Sequence, residues 1–387
     1  MCEVDSSDTT AVSGTSAVVV ASTTAYGTTH GSVRRPHVDS FASVASEGWA
    51  GPTREAREEA EEMTLAPGAT RARGAGERAT PEEPDVRRTC FERDLDRIKY
   101  STAFRRLAGK CQVFLAPDDI HLRTRLTHAI EVSQVALAVA QAVGLNRALT
   151  EAMALGHDCG HGPGGHAAED AFEIFVPGGF DHAIWGADVT LVPLNLCEQT
   201  LDGIRHHSWR LAAGSTPESE LLSLSDRMAY CAHDFDDAVR SGIVSPSELP
   251  ASVREILGTK QSEQIRNLIA GTISAIETTG TVGLPLDMAA ALDDFRKFNY
   301  ERLYLRPASV RQNDLAIKML RALVEFYADA PWLIPAVANN ETPVDHSGSP
   351  LAVRAAVTYV SGMTDRFAIT QAQTHLHWSD AQLPVGI

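Results

Sequence analysis

The sequence predicts an all-α protein, and two observations carry that prediction. From Asp94 onward, apolar residues recur at intervals of three and four along most of the chain, which is the spacing of helices that bury one face. We find no alternation of apolar and polar residues beyond a few positions and no internal repeat. A sheet protein and a repeat array are therefore both excluded as first choices.

The predicted elements follow from local start and stop signals. Residues 1–50 are rich in Ser, Thr, Ala, Val and Gly without periodicity, so they are predicted to form a disordered tail. Residues 51–92 are predicted to form an N-terminal arm, with a short charged helix behind a Thr53 cap and an irregular stretch over 67–86. Further helices are predicted from a Thr127 cap to Gly144, from Glu151 onward, and over 166–175, 218–241, 262–277, 287–301, 308–328 and 350–376.

Charge and composition exclude several classes of protein. The chain has 387 residues and a net charge of −16, which argues against a protein whose main partner is nucleic acid or a membrane surface. No apolar stretch reaches the ~18–20 residues of a membrane span, and the acidic start lacks the basic region of a signal peptide. Six scattered cysteines without a CxxC pair fit reduced thiols, so we expect a cytoplasmic protein.

The charge is unevenly distributed along the chain. Residues 86–130 contain ten basic residues (Lys or Arg) and five acidic ones (Asp or Glu). Residues 157–240 contain four basic and fourteen acidic residues. An acidic, metal-holding part that faces a basic part would suit a polyphosphate substrate with its metal. The alternative for most of these arginines is a pair of N-terminal helices stabilised by ion pairs.

Residues 157–169 carry the densest chemistry, with three His, one Asp and one Glu. The adjacent His157 and Asp158 offer one nitrogen and one oxygen ligand, a mixed set that suits Mn, Mg, Fe or Ni. His166 and Glu169 are three residues apart and share a helix face, so the carboxylate can orient the imidazole for acid–base work. An exposed His–Glu pair without a function is the alternative for these two residues.

One predicted helix, over 218–241, has a polar stripe on an otherwise apolar surface. The stripe consists of Asp226, Tyr230, His233, Asp234 and Asp237. Because apolar residues spread around the rest of the helix, we expect the stripe to line a cavity rather than to face solvent.

These residues resemble a known family. His128, the pair His157–Asp158, and Asp226 reproduce the H…HD…D pattern of HD-domain metal-dependent phosphohydrolases. Longer stretches resemble one branch of that family, the deoxyguanosinetriphosphate triphosphohydrolase-like proteins, from about Thr53 to about Thr374. The matching stretches are 93–98, 103–107, 112–114, 123–128, 179–182, 194–196, 203–204, 226–234 and 361–368.

The resemblance implies a fold, a reaction and a set of site residues. The fold would be an HD-domain helical bundle over 93–250, with an additional C-terminal helical region over 251–387 packed on it. The reaction would be hydrolysis of a deoxynucleoside triphosphate (dNTP) to deoxynucleoside and inorganic triphosphate, with one divalent metal per subunit. By position, the metal ligands would be His128, His157, Asp158 and Asp226, the catalytic dyad His166 and Glu169, and the substrate contacts Gln112, Arg125, His161, Tyr230 and Asp234. The family also implies homo-oligomers, often hexamers, and in some relatives a second dNTP that acts as activator.

Two departures from the family pattern concern the surroundings of these residues. Gly164 stands where relatives commonly have Phe, and Ala183 stands where they often have Asn. The first change removes packing that would hold the turn before His166.

Two other functions stay open on the sequence alone. One is an HD phosphohydrolase of a nucleoside monophosphate or an alarmone, and the other is a catalytically silent nucleotide or nucleic-acid binder.

Overall fold

The computed structural model describes residues 29–30, 33–34, 43–114, 121–208 and 215–384. The chain divides into two units, Met1–Gly51 and Pro52–Ile387. In the first unit, β1 (Thr29–His30) pairs antiparallel with β2 (Val33–Arg34). Most of the predicted tail over 1–50 lies outside the described residues, so its disorder stays a prediction.

The all-α prediction is confirmed, since 67% of the structure is helical. The α-helices of the second unit are α1 (Arg54–Thr64), α2 (Cys90–Tyr100), α3 (Thr102–Arg106), α4 (Arg125–Val143), α5 (Arg147–Gly156), α6 (His166–Phe172), α7 (His182–Trp185), α8 (Glu198–Arg205), α9 (Pro217–Arg240), α10 (Gln261–Thr279), α11 (Leu286–Asn299), α12 (Pro307–Asp329), α13 (Pro335–Ala338), α14 (Pro350–Ser361) and α15 (Asp365–Leu376). Short 3₁₀ and π turns extend several of them, among them His157–Gly160 after α5 and Tyr300–Tyr304 after α11.

Three of the predicted boundaries are wrong. The helix predicted from Glu151 onward begins four residues earlier, at Arg147, where Asn146 is the cap. The cap of α4 is Thr124 rather than Thr127, because the two threonines form a reciprocal capping box in which Thr127 is the third helical residue. The helix predicted over 350–376 is two helices. α14 ends at Ser361, and Thr364 caps α15 by accepting from the backbone N–H of Phe367.

Helix α4 lies at the centre of the second unit. It packs against α5, α9 and α10, and its buried face includes Arg125, His128 and Val132. Within the described residues it is the one helix long and apolar enough to cross a membrane by length and composition. Because three helices cover it and its buried face carries an arginine and a histidine, its apolar character is explained as that of a core helix.

A second apolar core connects α6 to the C-terminal helices. Phe172 of α6 lies in one cluster with Leu323 and Tyr327 of α12 and Val360 of α14, all of them buried. The helix that begins at His166 is therefore packed against residues almost two hundred positions further along the chain.

The N-terminal arm is attached to the helical core through Glu218. This fully buried carboxylate accepts hydrogen bonds from the backbone N–H and hydroxyl of Thr70, at 3.0 and 2.8 Å, and from the backbone N–H of Asn146, at 3.0 Å. One side chain at the start of α9 therefore joins the arm to the start of α5.

Removing this carboxylate should destabilise the protein markedly. In Glu218→Ala the N–H of Asn146 is left buried without its acceptor, so we expect the free energy of unfolding to fall by about 3 kcal/mol. Glu220→Ala, two residues away at a half-exposed position, is the matched control and should change it by less than about 0.5 kcal/mol. Urea denaturation measures both, and equal effects of the two substitutions would contradict the attachment.

Candidate metal centre and active site

The imidazole of His157 is prepared to bind a cation. Its Nδ1 donates to the carbonyl oxygen of Ala154 at 2.7 Å, and this bond fixes the proton on Nδ1. The other nitrogen, Nε2, therefore carries a lone pair. It is buried and has no hydrogen-bond partner in the described part of the chain. It faces Asp158 Oδ1 at 3.4 Å and Asp226 Oδ1 at 3.8 Å.

His128 and Asp226 bring two more helices to the same point. His128 Nε2 of α4 lies 3.0 Å from Asp226 Oδ1 of α9, and the ligand atoms of His128, His157 and Asp226 all lie within 4.8 Å of one another. Burial raises the pKa of Asp226, but its hydrogen bond to His128 and the neighbouring His157 outweigh burial, and the net shift is downward. An ionised carboxylate beside two imidazoles, each with a buried nitrogen that has no partner among the described residues, fits one divalent cation with mixed nitrogen and oxygen ligands.

The fourth predicted ligand, Asp158, joins this cluster through His157. Its Oδ1 also lies 3.2 Å from His161 Nε2, and its Oδ2 accepts from the guanidinium of Arg125 at 2.8 Å. Arg125 is fully buried, and a buried guanidinium needs a carboxylate partner. The structure thus places two predicted phosphate contacts, His161 and Arg125, directly on a predicted metal ligand.

The predicted dyad of His166 and Glu169 forms part of a larger group. His166 Nδ1 lies 3.3 Å from Glu169 Oε2, and its side chain is 75% exposed. The other oxygen of Glu169 accepts a short hydrogen bond from His182 Nδ1 and a second bond from the backbone N–H of His182. The ring of His182 stacks on that of His161, with centroids 3.7 Å apart. Glu169 therefore orients two imidazoles, and His182 connects the dyad to the metal cluster.

His207 fixes the protonation of His182. Its Nδ1 donates to the carbonyl oxygen of Ile204 at 2.7 Å, so its Nε2 is an acceptor, 3.2 Å from His182 Nε2. His182 then donates from both ring nitrogens and carries a positive charge. Burial lowers the pKa of His182, but the bond to Glu169 outweighs it and the net shift is upward. Burial lowers the pKa of His207 to about 3, which keeps that ring neutral.

The sequence patterns predict no role for His182 or His207. His182 belongs to the matched stretch 179–182, so a signal for it existed. His207 follows another histidine in a segment without a pattern that would single it out.

Two predicted sugar contacts present unpaired acceptors. Gln112 Oε1 and Asp234 Oδ1 are buried and have no hydrogen-bond partner among the described residues. The other oxygen of Asp234, Oδ2, accepts from the hydroxyl of Tyr304 at 2.5 Å, a partner that sequence analysis missed. Burial raises the pKa of Asp234 to about 7. Tyr230 is half-buried one turn earlier on α9.

The outer half of the polar stripe differs from the expected cavity lining. Asp237 accepts from the backbone N–H of Arg123 at 3.0 Å and binds its guanidinium, and Arg123 also binds Glu131 at 2.8 Å. His233 lies 3.2 Å from the same glutamate. Asp237, Arg123 and Glu131 therefore form an ion-pair network between α4 and α9 rather than a cavity wall. Burial lowers the pKa of His233 to about 2, so its ring is neutral and lies beside this network without an ion pair.

Ion pairs also explain much of the basic stretch. Arg88 binds Asp85 and Asp96, while Arg93 and Arg97 both bind Glu82. These arginines are ion-paired, as the alternative to phosphate binding expected, but the pairs lie within the irregular arm or join it to α2 and do not join two helices.

The raised pKa of Asp234 makes stability depend on pH. Burial raises the pKa of Asp234 from the ordinary 3.8 to about 7. As pH rises, Asp234 therefore ionises in the unfolded state before it ionises in the folded state. The free energy of unfolding consequently falls as pH rises from 4 to about 7. Asp234→Asn, whose amide oxygen can still accept from Tyr304, should melt several degrees above the wild type at pH 8, and the gap should narrow towards pH 4. Calorimetry of the chelator-treated proteins measures this. A gap that stays constant over that range would contradict the raised pKa.

Comparisons with known proteins agree with this geometry. Residues 125–231 match the HD domain family, and residues 282–374 match the phosphohydrolase-associated domain. A solved structure of a hypothetical protein from Aquifex aeolicus aligns at 17% identity with a TM-score of 0.45, over 73% of this chain and 68% of that one, which is too weak to add to the assignment.

Curated relatives are much more similar. A protein from Caldanaerobacter subterraneus is 36% identical over 82% of this chain and 93% of its own length. A protein from Clostridium perfringens (strain 13) is 38% identical over 75% of this chain and 87% of its own length. A protein from Desulfatibacillum aliphaticivorans is 34% identical over 83% of this chain and 97% of its own length. All three are named deoxyguanosinetriphosphate triphosphohydrolase-like protein. With the HD domain and its metal-ligand cluster in place, this chain belongs to the deoxyguanosinetriphosphate triphosphohydrolase-like family of HD-domain phosphohydrolases.

Proposed function

We propose that the protein hydrolyses a deoxynucleoside triphosphate, dGTP or another dNTP, to deoxynucleoside and inorganic triphosphate. The observation that carries the proposal is the junction of two groups. The metal-ligand cluster meets the acid–base group of Glu169, His166 and His182 at Asp158 and His161, which are 3.2 Å apart. Phosphate-ester hydrolysis needs both, one to stabilise charge on phosphate and the other to move a proton.

The side chains divide the work of this reaction. A divalent cation held by His128, His157, Asp158 and Asp226 would polarise a phosphate oxygen. His166, oriented by Glu169, has an exposed ring that can take a proton from a water or return one to the leaving oxygen. The protonated His182 places a positive charge beside His161, where the polyphosphate would add negative charge.

The sugar-side residues favour a nucleotide as the substrate. A buried carboxylate oxygen without a partner is costly, and a hydroxyl donor such as the 3′-hydroxyl of a deoxyribose would satisfy Asp234 Oδ1. Gln112 Oε1 offers a second buried acceptor of the same kind. Tyr230 against the sugar ring would exclude a 2′-hydroxyl by steric contact.

We further propose that the metal is one of Mn, Mg, Fe and Ni, and that the protein is cytoplasmic. On the resemblance, we expect a homo-oligomer such as a hexamer and a second dNTP that can act as activator. On the net charge of −16, we expect that nucleic acid is not the main partner.

The reaction itself can be tested by product analysis. Purified protein with Mn or Mg should release inorganic triphosphate from at least one of the four dNTPs, supplied singly or in pairs to allow for an activator. Ion chromatography separates triphosphate from pyrophosphate and orthophosphate, and a sample with excess chelator is the control. Release of pyrophosphate, or of orthophosphate alone, would contradict the proposal and favour one of the other phosphohydrolase reactions.

Two substitutions separate the roles of the two groups. His166→Ala should lower kcat by about 10²–10⁴-fold with metal content unchanged, because it removes a proton-transfer group and no ligand. Asp226→Ala should lose both metal and activity. His346→Ala, at an exposed position far along the chain, is the control for loss of a histidine. Metal analysis of the purified variants decides the assignment, and metal loss in His166→Ala or metal retention in Asp226→Ala would overturn it.

A further inference from the structure

Asp365, the first residue of α15, contacts the active-site segments although it lies outside both groups described above. The carboxylate is buried, and each of its oxygens accepts one backbone N–H at 2.9 Å, Oδ2 from Cys111 and Oδ1 from Gly164. Cys111 precedes Gln112, and Gly164 lies between His161 and His166. A single side chain therefore holds two segments that carry proposed site residues.

Lys110 connects the same segments through hydrogen bonds of its own. Its buried Nζ donates to the carbonyl oxygen of His161 through a short hydrogen bond and to that of Ser361 at 2.9 Å. Three segments, 110–111, 161–164 and 361–365, are thus joined by the two buried side chains of Asp365 and Lys110. We call this arrangement the three-segment clamp.

The loop between His161 and His166 depends on such external contacts. Gly164 and Gly165 adopt φ values of +77° and +62°, which side chains other than glycine rarely adopt. A Cβ at Gly165 would lie 2.6 Å from a guanidinium nitrogen of Arg125, so the loop also passes close to a buried charge. Consecutive glycines add backbone freedom and contribute no side-chain packing, so contacts from outside must fix where His161 and His166 lie.

We propose that Asp365, which lies in the C-terminal helical region, is a positioning residue of the reaction. It holds the 161–166 loop and the segment with Gln112 in the correct position relative to the metal cluster. The inference rests on the proposed function for its catalytic consequence. The hydrogen bonds of the clamp do not depend on which substrate is hydrolysed. Because the accepted groups are backbone amides next to site residues, loss of the carboxylate moves those residues without removing any of them.

Asp365→Asn tests this with little change in volume. The amide keeps one acceptor and turns a donor towards the N–H of either Cys111 or Gly164, so one of the two bonds is lost. We expect kcat per metal-loaded protein to fall about 10–100-fold, the loss that a misplacement of about 1 Å produces, with metal content and helical circular dichroism unchanged. Amide hydrogen exchange in peptides covering 110–114 and 160–166 should accelerate. Asp345→Asn, an exposed aspartate of the same region, is the matched control and should change none of these.

A second variant keeps the test decisive if Asp365→Asn does not fold. Lys110→Met removes the two hydrogen bonds that Lys110 contributes to the clamp and should accelerate exchange in the 160–166 peptide with a similar loss of kcat. Unchanged exchange in that peptide, or a kcat within about twofold of wild type despite faster exchange, would overturn the positioning role. If the wild type releases no triphosphate from any dNTP, the proposed function fails. The clamp is then judged by exchange alone, with acceleration supporting it and no change overturning it.

Discussion

The structure depends on the junction of α4, α5 and α9, where the buried His128 and His157 surround the partly buried carboxylate of Asp226. Burying an ionised carboxylate without compensation costs several kcal/mol, so each group around it has to be satisfied. The carbonyl oxygen of Ala154 fixes the tautomer of His157, and His128 pairs with Asp226. A divalent cation would complete the compensation, because imidazole nitrogens and carboxylate oxygens together form a ligand set that suits such an ion. Function and stability at this junction therefore follow from the same electrostatic constraint.

The second carboxylate, Glu169, has the corresponding role for proton transfer. It binds His182 and His166 at once, and His207 completes the chain of imidazoles on the side of His157. The helix that carries Glu169 is held by apolar packing against the C-terminal helices, and the loop before it is held by Asp365. The C-terminal region therefore supports the geometry of residues that the HD domain supplies.

The sequence predicted those parts of the fold and site that local spacing determines. Helical periodicity identified the all-α class. The pairs His157–Asp158 and His166–Glu169 are adjacent or one turn apart, so their proximity could be inferred directly.

Contacts between distant segments had no such signal. Tyr304 binds Asp234 across 70 positions and His207 meets His182 across 25, and neither pair leaves a pattern in the chain. The pairing of Arg125 with Asp158 depends on burial, which charge counting along the chain does not reveal. The sequence did not reveal the break between α14 and α15, because both helices are amphipathic and only three residues, 362–364, separate them.

The most direct test of the account is the position of the metal itself. Crystals grown with Mn and measured for anomalous scattering should show one strong peak per chain, in contact with His128, His157, Asp158 and Asp226. Such a peak would establish that the buried junction of α4, α5 and α9 is the metal centre. A peak held instead by His161, Glu169 and His182, which also form a cluster of potential ligands, or no peak at the junction, would contradict it.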